Sequence, residues 1–442
     1  MEEANTYSST RNGKRLYVDN KSGYWRVVSD DSSDIDIRKE AISKSVKPID
    51  IQDYNKDIYT WEVVLYLTNK CNFSCGYCYS KNAREANWKS FDMDRLKKII
   101  QKVMFEPSKN SINFLLFGGE SFAAFDQMKR AVEFVLEVNR KCKKKVSFST
   151  TTNGSLLNKE KVRFLMDYGI RVGISLDGPE HVHNKHRRSS GGKNTYSEVI
   201  EGVNLLKESG ISFGIISTID DPDYMMDVFD YFIENQYTTS VKISPFIPEG
   251  SAKTSNINAI NEYASRWGKV NLECAKRLIE HNKSNSFKLK ENNLANMISH
   301  LILDERPDIC LRTPCAAGFG MIEFHPDGSI VTCDKTLYSP ELGVVANIDE
   351  VSETISLSEL LDNSDLIKKI RSRVASSIPK CAKCPVQAHC GGACTLGSYD
   401  LYKSFYREDV MCNYRRYMFE ELMWLIDLDP KNALHLGMPN SV

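Results

Sequence analysis

The sequence predicts an α/β protein built on a parallel sheet, and two observations carry that prediction. From about residue 60, short β-type runs alternate with longer stretches of helical period. Each run is bounded by Gly, Asn, Asp or Pro, as in Asn153-Gly154 and Asp177-Gly178-Pro179. Six strands follow: Glu62 to Thr68, Ile112 to Phe117, Val146 to Thr151, Arg171 to Leu176, Ser212 to Ile219 and Val241 to Phe246. Between them, Phe91 to Val103, Phe122 to Arg140, Lys159 to Tyr168, Tyr196 to Glu208 and Met225 to Glu234 place apolar residues three and four apart, the period of a helix with one buried face. Six βα units make a partial barrel or an open doubly wound sheet. Either places a ligand at the carboxyl ends of the strands.

Residues 1–58 have a different character. Leu16-Tyr17-Val18, a turn-like Asp19 to Gly23, and Tyr24-Trp25-Arg26-Val27-Val28 predict a β-hairpin, which either docks as a structural flap or receives a peptide strand. A barrel region over 59–300 is followed by a cysteine-rich, loop-rich region over 301–442, with a helix from about Tyr414 to Asp427.

The 442 residues, 41% hydrophobic and 26% charged, suffice for a substantial core and exclude disorder as a class. Lys+Arg 58 balances Asp+Glu 58, which removes the broad basic field of nucleic-acid or membrane-surface binding and favours neutral partners or short peptides. No apolar run approaches the roughly 18 residues of a membrane span, and the opening Met1-Glu2-Glu3-Ala4-Asn5 is acidic. A cytoplasmic protein with no membrane and no nucleic-acid partner is expected.

Thirteen cysteines are too sparse for a disulfide scaffold and are clustered, which points to metal or redox thiolates. Cys71-Asn72-Phe73-Ser74-Cys75-Gly76-Tyr77-Cys78 follows the first strand directly, and three thiolates on one loop leave a cubane with one iron free for another ligand. A zinc loop completed by a distant residue is the alternative. C-x3-C-x2-C after the first strand of a βα array, with Tyr77 before the last cysteine, resembles the signature of radical S-adenosylmethionine enzymes. The resemblance implies a partial (β/α)6 TIM-like barrel. It also implies a 4Fe-4S cluster on Cys71, Cys75 and Cys78 whose unique iron chelates S-adenosylmethionine, and reductive cleavage to a 5′-deoxyadenosyl radical. Phe117-Gly118-Gly119-Glu120 is similar to the family segment that holds the methionyl ammonium, with Ser121 where proline is usual. Asn153 of Thr152-Asn153-Gly154, with Ser175 and Asp177 of Ile174 to Pro179, resembles segments around the ribose and methionyl group. His183-Asn184-Lys185-His186-Arg187 resembles a His-Asp-x-x-Arg run of the sulfatase-maturase-like branch, with Asn184 for the aspartate, and implies that Arg187 pairs with the cofactor carboxylate.

The C-terminal cysteines read Cys310-x4-Cys315, Gly328-x4-Cys333, Cys381-x2-Cys384-x5-Cys390-x3-Cys394 and Cys412. Two zinc ribbons satisfy the same count. The order resembles the SPASM extension, which implies one auxiliary 4Fe-4S cluster on Cys310, Cys315, Cys333 and Cys394 and another on Cys381, Cys384, Cys390 and Cys412, three clusters in all. Cys142 and Cys274 are left as plain thiols. Asp334 resembles the general base of sulfatase maturases; a loop aspartate capping backbone amides is the alternative. The resemblance implies a peptide or protein substrate and a flavodoxin- or ferredoxin-type electron donor. The function expected is a maturase of ribosomally made peptides forming a carbon-carbon or ether cross-link, often at tryptophan, of the cyclophane and darobactin type. Formylglycine formation as in a sulfatase maturase, thioether formation, and a zinc-organised binding module are the alternatives.

Overall fold

The computed structural model describes residues 6–20, 22–33, 60–78, 90–247, 256–303, 308–337, 342 and 344–437. Contacts divide the chain into two compact units. One comprises Met1–Asp57, Ser255–Cys315 and Ile370–Val442, and the other Ile58–Thr254 and Ala316–Lys369.

The first unit opens with an antiparallel sheet of β1 (Thr6–Arg11), β2 (Lys14–Asp19) and β3 (Trp25–Ser29). The expected hairpin is β2–β3, with Val18 opposite Trp25. The additional strand β1 enters through Asn12-Gly13, whose φ values of 51° and 73° suit a two-residue hairpin turn. The sheet docks on the helix Cys412–Leu428, where Arg11 Nη2 and Nη1 donate to Glu421 Oε1 and Oε2 at 2.6 and 2.8 Å. The long helix Ile257–Ser284 packs on the same partner. Short helical turns at Pro379–Ala382, Gln387–Cys390 and Thr395–Tyr402 carry or adjoin the late cysteines.

The second unit is the βα array: β4 (Trp61–Thr68), α1 (Met93–Met104), β5 (Ser111–Gly118), α2 (Phe125–Cys142), β6 (Lys145–Thr152), α3 (Lys159–Asp167), β7 (Arg171–Ser175), α4 (Glu180–His186), α5 (Tyr196–Glu208), β8 (Phe213–Ile219), α6 (Met225–Asn235) and β9 (Ser240–Pro245). These strands are parallel and neighbour one another in chain order from β4 to β9. An order without reversal, joined by right-handed crossovers, puts the helices on one face and selects the partial (β/α)6 barrel over a doubly wound sheet, whose order must reverse. The strand Met321–Phe324 adds in parallel outside β4, followed by antiparallel Ser329–Val331 and Ala346–Asn347. Residues 316–369 therefore group with the barrel strands.

Alternation along the strands separates two faces. Val63, Leu65, Phe114, Leu116, Phe148, Ile174, Ile215 and Ile243 are buried, and the helices supply matching stripes such as Leu96, Ile99, Val135 and Val203. The opposite face carries half-exposed polar or small residues, among them Ser149, Thr151, Gly173, Ser175, Gly214 and Thr218. Such a face lines a chamber rather than a packed core. Among the described residues, no helix is long and apolar enough to cross a membrane.

Candidate functional site

At the carboxyl end of β4 the chain turns into the loop of Cys71, Cys75 and Cys78, all half-buried. The loop is clasped by the segment that follows α4. Ser74 N donates to Arg188 O at 2.7 Å, Gly76 N to His186 O at 3.0 Å, and Ser190 N to Asn72 O at 2.9 Å. Phe73, fully buried, bridges Ser189. Asn72 also receives Asn153 Nδ2 at 2.9 Å and donates to Ser155 Oγ at 2.8 Å, which ties the loop to the end of β6. Three sulfurs are thus held by backbone bonds that need no metal. Among the described residues no three His, Cys, Asp or Glu side chains converge as ligands of a single ion. A cubane is held at its corners, so its thiolates stand apart, and three cysteines on one pinned loop fit that donor set.

The end of β5 folds over the end of β4. Gly119 N donates to Thr68 O at 2.8 Å and Glu120 N to Lys70 O at 2.9 Å. A Cβ on Gly118, at φ +155°, would stand 2.5 Å from Thr68 O, and one on Gly119 2.6 Å from Lys70 O, so this approach requires glycine at both positions. The buried Glu120 carboxylate accepts from Asn153 N at 2.8 Å, Thr152 Oγ1 at 2.7 Å and Phe122 N at 3.1 Å. Burial pushes its pKa up against the pull of those bonds.

Asp177, after β7, is the second organising carboxylate. It accepts the Tyr77 hydroxyl in a short hydrogen bond and Thr218 N at 2.9 Å, and its Oδ2 lies 3.0 Å from Arg187 Nε. The Arg187 guanidinium also lies 5.4 Å from the Tyr77 ring centroid. Burial, together with the Asp177 charge, raises the Tyr77 hydroxyl well above its ordinary pKa and keeps it a donor. His183 accepts Asp177 N at Nδ1 (3.4 Å), which leaves Nε2 to donate to Thr195 Oγ1 at 3.2 Å. Burial, reinforced by Arg187, lowers its pKa from 6.5 to about 3, so the ring is neutral. Asn184 Oδ1 accepts Thr195 N and Tyr196 N at 3.0 and 3.1 Å and caps α5, while its Nδ2 donates to Glu180 Oε1 at 3.3 Å. An aspartate there would oppose Glu180, a physical reason for asparagine at this position.

The structure thus gathers Tyr77, Asp177 and Arg187, and separately links Asn153 to Glu120. Ser175 lies at the end of β7 on the chamber face. The clasping role of residues 186–190 was not anticipated, because main-chain bonding leaves no residue-type signal.

Cys333 and Asp334 follow the strand Ser329–Val331 in the barrel unit. The other seven late cysteines fall in the first unit. There, Cys381, Cys384, Cys390 and Cys412 interact electrostatically with one another. Burial pushes the Cys381 and Cys390 thiols up to about 12. Four cysteines within electrostatic reach of one another form a donor set that a metal site could use.

Residues 65–230 match the family model of the Radical SAM superfamily. The serine-type anaerobic sulfatase-maturating enzyme of Bacteroides thetaiotaomicron is 24% identical over 348 residues, covering 73% of this chain and 80% of that protein. The radical SAM cyclopropyl synthase TigE of Paramaledivibacter caminithermalis is 22% identical over 391 residues, 85% of this chain and 75% of that protein. The solved structure of native anSMEcpe with bound AdoMet shares the fold, with a TM-score of 0.71 at 19% identity over 84% of this chain and 98% of that one.

Proposed function

This chain is an enzyme with a radical SAM domain, similar to the anaerobic sulfatase-maturating branch, and from that premise we propose that it oxidises a side chain within a peptide or protein substrate. The observation that carries the reading is the pinned three-cysteine loop at the mouth of a chamber lined by small and polar side chains. In this reading Cys71, Cys75 and Cys78 would hold a 4Fe-4S cluster, and residues at the carboxyl ends of β5 to β7 would hold S-adenosylmethionine. When bound, cluster and cofactor together supply a 5′-deoxyadenosyl radical as hydrogen acceptor. Glu120, carried by the close approach at Gly118 and Gly119, would hold the methionyl ammonium. Ser175 would serve the ribose side and Asn153 the surroundings of the ribose and methionyl group, while Arg187, fixed by Asp177 and Tyr77, would pair with the cofactor carboxylate.

The eight late cysteines would hold two auxiliary clusters, which would supply an electron acceptor for the oxidised substrate, and Asp334 would be the base that removes the proton. The substrate is a ribosomally made precursor peptide, and the product a carbon-carbon or ether cross-link at an aromatic residue. The docked N-terminal sheet and the 391-residue similarity to TigE support a peptide maturase with more than a bare barrel. A second reading, formylglycine formation, is supported by the similarity to sulfatase-maturating enzymes of both serine and cysteine type. A flavodoxin- or ferredoxin-type donor supplies electrons, and a cytoplasmic setting, whose reducing poise keeps thiolate ligands intact, suits so many clustered cysteines.

The readings separate in one experiment. Reconstituted enzyme is given a peptide with the sulfatase Cys or Ser motif, and separately a precursor peptide encoded beside its gene. A hydrazide-reactive aldehyde on the first establishes formylglycine formation. Loss of two hydrogens from the second, with no hydrazide reaction, cysteine thiols still open to alkylation and tandem mass spectra in which two residues stay joined, establishes the carbon-carbon or ether cross-link.

A further inference from the structure

Arg373 is fully buried, yet among the described residues no carboxylate accepts its hydrogen bonds. Its Nε donates to Phe405 O at 2.7 Å, Nη1 to Thr395 Oγ1 and Ala393 O at 3.2 and 3.3 Å, and Nη2 to Gly392 O, Arg407 O and Ser398 Oγ at 3.0, 3.1 and 3.3 Å. Every acceptor is a neutral oxygen. The buried Asp409 carboxylate nearby is bound by Arg415, Cys394 N and Met411 N. A guanidinium placed out of water without a counter-charge is costly, so a site built this way points to an anion that belongs there. Foremost among the charges that act on it are the sulfurs of Cys315 and Cys394, followed by those of Cys381 and Cys390.

The surroundings tie this cation to two cysteine loops. Two residues on, Ala375 N donates to Thr313 Oγ1 at 2.7 Å. The turn that Arg373 grips runs through Gly391, Gly392 and Ala393 at φ of 63°, 80° and 48°, and a Cβ on Gly391 would stand 2.6 Å from Leu311 O. The segment 373–375 thus touches the loop ending at Cys315 and the loop ending at Cys394.

We propose that Arg373 is the built-in counter-cation of the auxiliary iron-sulfur site served by Cys315 and Cys394, a positioning residue that holds the Gly391–Thr395 turn and raises the reduction potential of that site. This rests on the auxiliary-cluster reading above. Reduction adds one electron and one negative charge to a thiolate-ligated cluster, and a fixed cation nearby favours the reduced form.

The test uses the full chain with Cys71, Cys75 and Cys78 changed to Ala, so that only auxiliary sites contribute. Iron content and EPR-monitored reduction potentials are compared with Arg373→Gln and Arg373→Lys. Arg373→Gln is expected to shift the reduction equilibrium of one cluster at least tenfold toward the oxidised form, about 59 mV for one electron, with Arg373→Lys remaining within that margin. An Arg373→Gln protein that loads iron with an unchanged potential overturns the proposal and leaves a purely structural arginine. If Arg373→Gln takes up no iron, Arg373→Lys decides: normal loading and potential sustain the charge role, and failure of either overturns it. A parent protein that itself retains no iron removes the auxiliary-cluster reading and this inference together.

Discussion

Arg187 Nε lies 3.0 Å from Asp177 Oδ2, and both residues are buried. The same carboxylate accepts the hydroxyl of Tyr77, the residue before Cys78. One anion therefore joins the cysteine loop to the ends of β7 and β8 and to the strap after α4. The cysteine loop and the wall of the chamber are thus organised together.

Replacing Asp177 by Asn keeps the shape and removes the charge, leaving a buried guanidinium unpaired. The expected loss is about 3–5 kcal/mol of unfolding free energy. Urea denaturation of the two proteins checks it, and a difference under about 1 kcal/mol would show that Arg187 is compensated elsewhere.

His183 makes stability depend on acid. Its folded-state pKa is about 3 against 6.5 for the free side chain, so between those values the unfolded chain binds the extra proton. Its contribution is fully present above about pH 6.5 and declines by at most about 1.4 kcal/mol per pH unit on the way down to about 3. His183→Gln should flatten that part of the stability profile. Parallel profiles for the two proteins would contradict the assignment.

Much of this was legible in the sequence. Tyr196–Glu208 forms the helix its period predicted, and the six strands end within two residues of their expected limits. Buried alternation is a strong signal wherever one face must be covered. The strand β1 lacked it, since Thr6 to Arg11 is almost wholly polar, although Asn12-Gly13 was a usable turn signal. Met321–Phe324 is a short apolar run whose pairing with β4 is set by tertiary contacts alone. In the site, the carboxylates and cysteines were legible as residue types. The Asp177–Arg187 pair and the strap on the cysteine loop were not, because each depends on segments about ten to a hundred residues apart meeting in space.

Asn184 caps α5 through its side-chain oxygen, so Asn184→Ala should cost about 1 kcal/mol. Asn184→Asp keeps the acceptor and faces Glu180, so its cost should vanish when Glu180 is changed to Gln. Thermal unfolding of the single and double variants reads the coupling, and an unchanged penalty in the double variant would refute it.

Gly119→Ala forces a methyl against Lys70 O at 2.6 Å and should open the β4–β5 clasp. A penalty of about 1–3 kcal/mol carried into cofactor binding weakens S-adenosylmethionine affinity about 5- to 150-fold. Equilibrium dialysis with the cofactor measures this, and unchanged affinity would place the cofactor away from this clasp.

The most direct test of the central claim is anaerobic reconstitution with iron and sulfide counting, beside the Cys71/Cys75/Cys78→Ala variant and an assay of reductive cofactor cleavage. The account predicts about twelve irons falling to about eight, with 5′-deoxyadenosine formed by the parent and none by the variant. Iron content and cleavage that survive loss of the three cysteines would contradict it.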